Sequence, residues 1–155
     1  MTRDNEADPP SLSAEEIQSD VTKRLKKYEG LNLFEQFAMF MGVAQVFELN
    51  LKKFMHQRYG IDFDRLDRTT LGQVARSLRD RGLRPDFLKL LDSVVEYRNH
   101  IAHSLLVNQF ILTELGAEEA RFERRELEKG IYELEQLFFL FEWTQENNAW
   151  GEDAV

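Results

Sequence analysis

Residues 97–103 read Tyr97-Arg98-Asn99-His100-Ile101-Ala102-His103 and hold two of the three histidines of the chain. These residue types suit proton transfer beside a bound anion. An imidazole of ordinary pKa, about 6.5, exchanges a proton near neutral pH. A guanidinium is always charged, and its planar fork holds two oxygens of one oxyanion. An amide can orient either partner. The spacing then limits the geometry. On a helix, Asn99 and His103 are four apart and sit one above the other. Arg98 and His103 are five apart and diverge by about 140° around the axis. One regular helix therefore cannot aim both at the same atom. Either the helix ends or loosens near Ser104, or a second copy of the segment faces the first across a dimer axis.

The segment needs a helix to carry it. Pro85 suits the first turn of that helix, and Phe87, Leu88, Leu91, Val94, Val95, Ile101 and Ala102 form its inner face. Arg98 falls in the middle of this apolar stripe, where a charge is costly unless it is paired or lines a wet cleft. Other helices supply the packing partners. Ser13-Ala-Glu-Glu16 has capping-box spacing and starts a helix that ends near Gly30. Phe37, Phe40, Ala44, Phe47, Leu51 and Phe54 make one stripe on a helix over 33–59, closed by Gly60. A polar loop follows from Asp62 to Arg68. Thr70-Leu-Gly-Gln73 opens a short helix over about 71–81, closed by Gly82. Leu127, Ile131, Leu134, Phe138 and Phe141 mark a last helix over about 118–146. Its stretch Leu137–Phe141 is apolar nearly all round, which fits a broad core helix or a dimer interface equally well. Residues 104–116 mix β-prone triplets around Asn108 and fit a small hairpin or an irregular loop.

The expected fold is therefore all-α, an up-down bundle of four to five helices. One helical domain spans 11–148, behind a disordered leader (1–10) and ahead of a frayed acidic tail (149–155). Its 155 residues suffice for one core, and 43% apolar with 31% charged residues is globular composition. There is no cysteine, which removes disulfide and thiolate chemistry and favours a reducing compartment. The first residues have no apolar run and no stretch reaches membrane-span length, so the expected location is cytoplasmic, without a membrane partner. The net charge is −8. Residues 1–20 carry −5 and residues 142–155 carry −4, which leaves the body 21–141 at +1. Acidic ends on a near-neutral body do not forbid a local site for an anion.

An arginine followed by asparagine, with a histidine five positions after the arginine, all on an inner helix of a small bundle, resembles the HEPN superfamily (higher eukaryotes and prokaryotes nucleotide-binding domains). The matching residues are Arg98, Asn99 and His103, and the helical layout extends the likeness over roughly residues 33–146. Requiring asparagine directly after the arginine lowers the expected number of chance matches to roughly 0.03, so the motif carries information. The resemblance implies a metal-independent, cofactor-free endoribonuclease that works as a homodimer, with a role in toxicity or defence. Its implied chemistry needs no outside nucleophile, because RNA supplies the 2′-OH. His103 would be the general base, Arg98 the phosphate clamp and Asn99 the orienting residue. The products would be a 2′,3′-cyclic phosphate and a 5′-OH. His100, three residues before His103, is a second candidate for the substrate phosphate, or a surface histidine. In one subfamily a tyrosine two positions after the histidine is modified by an antitoxin. Leu105 stands there in this chain, so that route is not implied, while another antitoxin or regulatory protein stays open. Two other readings fit the same residues. One is a non-catalytic HEPN module that binds RNA or nucleotide. The other is a helical dimerisation protein in which Arg98 and His103 pair across the axis.

Residues 65–84 hold six arginines against Asp67 and Asp80, a net of +4. Arg76 and Arg79 share a helix face, which makes them candidates for an RNA-backbone track or a solvated, ion-paired face. Arg121, Arg124 and Arg125 lie among glutamates and read as an ion-paired surface. No metal site is expected, since His100 and His103 make at most two ligands.

Overall fold

The computed structural model describes the backbone of residues 11–115 and 120–151 and the side chains of residues 11–104 and 124–151. The leader (1–10) and residues 152–155 of the expected tail lie outside the described residues. Among the described residues there are six α-helices: α1 (Ala14–Leu25), α2 (Leu33–Tyr59), α3 (Phe63–Asp67), α4 (Leu71–Asp80), α5 (Pro85–Leu115) and α6 (Ala120–Glu146). A 3-10 turn over Lys26–Tyr28 extends α1, and there is no strand among the described residues. The bundle thus has more helices than the four to five expected.

The local signals for the helix starts and stops act as their chemistry requires. Ser13 and Thr70 each accept from the backbone N–H three residues on, and Glu16 and Gln73 reach back to the cap N–H. Asn32 caps α2 by accepting from Glu35 N–H at 2.9 Å. Gly60 ends α2 at φ 65°, a left-handed conformation that glycine adopts without strain. Two expectations need correction. The polar loop 62–68 contains α3, capped by Asp62 and anchored by Leu66, which is 4% exposed. Residues 104–115 are neither hairpin nor irregular loop but the last third of α5. No glycine or proline interrupts the chain between Pro85 and Gly116, so nothing stops a helix already nucleated and packed upstream.

α5 packs along α6, α1 lies on α6, and α4 lies on α5. The stripe of α2 is fully inside: Phe37, Phe40, Ala44, Phe47, Leu51 and Phe54 are all buried. They meet Phe87, Leu91, Val94 and Ile101 of α5 and Leu127, Ile131, Leu134 and Phe141 of α6 in one hydrophobic cluster. Leu137 and Phe141 are buried within the chain, and Phe47 meets Phe138 at 5.5 Å and Phe141 at 5.7 Å between ring centroids. This apolar stretch of α6 is therefore covered from several sides by its own chain. Trp150, placed with the tail by sequence, is 3% exposed and stacks on Phe54 at 4.6 Å. Glu135 is wholly buried on α6. It accepts from the Tyr28 hydroxyl at 2.9 Å and pairs with Lys27 at 2.5 Å, which ties the 3-10 turn to α6. Burial, with that carboxylate beside it, pushes the Tyr28 phenol upward.

Gly130 matters most for the site described next. A Cβ there would lie 2.7 Å from Ile101 Cδ1 and 3.5 Å from both Phe40 and Tyr97. Its absence lets α6 approach α5 at the residues flanking Arg98. Gly130→Ala is expected to be near neutral, because about 1 kcal/mol of helix propensity offsets the turning of one methyl. Gly130→Val loses that gain and overfills the contact, so stability falls by about 1–3 kcal/mol. Urea titrations check this: the midpoint drops at constant slope for valine only.

Candidate functional site

Arg98 is held where its helix meets α2. Its side chain is 25% exposed, and its Nη2 lies 3.8 Å from Oε2 of Glu48, beyond hydrogen-bond reach. The other carboxylate oxygen of Glu48 takes Lys52 Nζ at 2.8 Å. Glu48 is 16% and Lys52 only 7% exposed. Two cations therefore share one carboxylate in a partly dry place, and Glu48 is committed mainly to Lys52. The surplus positive charge falls on the more exposed guanidinium, and such a charge favours an incoming anion. Arg98 meets the physical requirement set by its place in the apolar stripe: it is loosely paired and still reached by solvent.

Asn99 and His103 are exposed on α5, one turn apart. Because α5 continues unbroken through Ser104, the helix does not loosen there. Arg98 and His103 of one copy remain separated by about 140° and by about 7.5 Å of rise. Within one copy α5 therefore does not bring the two side chains together, and the route through a loosened helix is closed. His100 is 55% exposed, and its Nε2 lies 2.6 Å from Oε2 of Glu126 on α6. Its Nδ1 is 3.4 Å from the Ser104 hydroxyl. His100 links two helices at the surface beside the other candidates.

Arg76 is exposed, while Arg79 pairs with Asp92 of α5. Arg84 pairs with Asp86 at 2.7 Å and donates to the Ala149 carbonyl, and Arg81 lies 4.3 Å over the Tyr59 ring. The six arginines of 65–84 are therefore not one uniform track, since Arg79 and Arg84 are already compensated. Arg124 and Arg125 are exposed, and the side chain of Arg121 lies outside the described residues, as does that of Leu105.

Sequence reasoning overlooked Glu48 and Lys52. The available signal was a Glu–Lys pair at i and i+4 lying beside Phe47 and Leu51, the inner stripe of α2, where such a pair is not the usual surface ornament. Among the described residues there is no group of three or more His, Asp or Glu side chains arranged to hold a metal ion, and no helix is long and apolar enough to cross a membrane. Compared with known proteins, the chain matches no family model, no curated protein and no solved structure.

Proposed function

We propose that this chain is a metal-independent endoribonuclease of HEPN type, acting as a homodimer in a toxin or defence role. The observation that supports the reading is Arg98: a guanidinium set in an otherwise apolar helix face, incompletely paired by Glu48 and open to solvent. Such a cation is primed for a phosphodiester. In the proposed reaction an imidazole, His103, takes the proton from a ribose 2′-OH. The freed oxygen attacks the adjacent phosphorus, and the P–O5′ bond breaks. The departing 5′-oxygen gains a proton, which leaves a 2′,3′-cyclic phosphate and a 5′-OH. Arg98 holds the non-bridging oxygens as their charge grows. Asn99, one turn from His103, orients the ring or the phosphate. Because α5 is continuous, Arg98 of one copy works with His103 of the partner subunit.

A second reading, a helical interaction module, draws on a different observation. Met39, Val46 and Leu49 are exposed on one side of α2, an apolar face of a kind that often docks another protein. One experiment separates the readings. Total RNA is incubated with wild type and with Arg98→Ala in EDTA. Cleavage by wild type alone, ending in cyclic phosphate, supports the nuclease. Binding without cleavage supports a non-catalytic RNA module, and neither supports the interaction module.

A further inference from the structure

The loop after α2, with α3 and α4, encloses a cavity of about 220 Å³ separate from the Arg98 segment. Its lining includes Met55, Leu66 and Val74, all buried, so its floor is apolar. Apart from Ile61, its remaining walls are polar and one-sided in charge. Arg65 and Arg81 line it, and no carboxylate does. Asp62, Asp64, Asp67 and Asp80, nearby in the sequence, are exposed and outside the lining. Arg81 is steadied by its position over the Tyr59 ring, and among the described residues neither Arg65 nor Arg81 makes an ion pair. Two more residues with donor groups line the same cavity. Gln73 uses its carbonyl oxygen to accept from Thr70 N–H at 2.9 Å, which leaves its amide N–H groups unspent. The Ser77 hydroxyl also lines the cavity.

We infer that this cavity is a binding site for a phosphomonoester, the terminal phosphate of a nucleotide or of a nucleic-acid chain end. Two guanidiniums, an amide and a hydroxyl around one concavity are complementary to a phosphate carrying close to two negative charges at pH 7. A phosphodiester inside a strand carries only one charge, so the cavity suits a chain end. The volume equals that of about seven waters at roughly 30 Å³ each, room for a phosphate and the start of its ester. The inference stands apart from the nuclease reading, because it needs neither His103 nor a dimer.

The test is calorimetric titration of the full chain with inorganic phosphate, AMP and adenosine. Phosphate and AMP are expected to bind and adenosine not. Arg65→Gln, an exposed change that leaves the packing alone, is expected to weaken AMP about ten- to a hundredfold. Ser77→Asp sets a negative charge in the wall and abolishes binding. Lys23→Gln, exposed on α1 and outside the lining, leaves the affinity within about twofold. A 5′-phosphorylated deoxyoligonucleotide is expected to bind at least about tenfold better than the same strand ending in a 5′-hydroxyl, the two charges being the difference. The proposal is overturned by any of four results: no saturable binding at millimolar ligand, equal binding of adenosine, no preference between the two strands, or loss of binding in Lys23→Gln with retention in Arg65→Gln.

Discussion

On the proposed nuclease reading, replacing His103 with alanine is expected to lower RNA cleavage by about 10²–10⁴-fold, the usual worth of a positioned general base. The fold pays little for this change. His103 is exposed on α5, and surface substitutions of that kind stay within about 0.5 kcal/mol. The variant should therefore keep the wild-type thermal midpoint and circular dichroism. It should also still bind an uncleavable deoxy analogue, since Arg98 and the rest of the phosphate contacts are untouched. Binding retained with turnover lost is the pattern of a group that acts in the transition state. Initial rates on a short RNA of known sequence, measured in EDTA, read it directly. Full activity in His103→Ala ends the assignment of the base, whatever happens at Arg98.

Much of this arrangement was legible in the sequence, and the parts that were not share physical causes. Strong local chemistry was readable: the two capping boxes at Ser13 and Thr70, the closing Gly60, and the 3-and-4 spacing of the α2 stripe all lie within a few residues of what they control. Arg98 was readable as an oddity because the helical period fixes which face it occupies. α3 was missed because five residues are too few to show a period, so Asp62 and Leu66 looked like loop. The end of α5 was missed because Leu105–Val107 and Phe110–Leu112 are β-prone in isolation, while the helix they join is set by packing upstream. Trp150 was missed because its place over Phe54 depends on the chain turning back after α6. The partner of Arg98 was hidden for a deeper reason. Glu48 is fifty residues away, and a Glu–Lys pair at i and i+4 carries the same sequence signature whether it faces water or the core. Only the three-dimensional pairing of α2 with α5 turns it into the group that leaves Arg98 half compensated.

Mixing two dead variants restores activity if the two key side chains come from different copies. Arg98→Ala and His103→Ala are each expected to be strongly impaired. When the two are unfolded together and refolded at equal amounts, random pairing makes half of the dimers mixed. In a mixed dimer one composite site carries both substitutions and is dead. The other joins the intact Arg98 of the His103→Ala copy with the intact His103 of the Arg98→Ala copy, and is native. Half of the dimers with one of two sites working gives roughly a quarter of wild-type activity, a recovery of about 25- to 2500-fold over His103→Ala alone. The reasoning rests on helix geometry. α5 runs unbroken past Ser104, so Arg98 and His103 of the same copy point about 140° apart and cannot close on one phosphorus. If each copy instead held a complete site, both chains of every dimer would carry a defect and mixing would recover nothing. A mixture no more active than the better single variant, with heterodimers verified by mass, therefore excludes the shared site. Recovery that disappears on dilution below the dimer dissociation range strengthens it, because a site assembled from two chains is lost when they part.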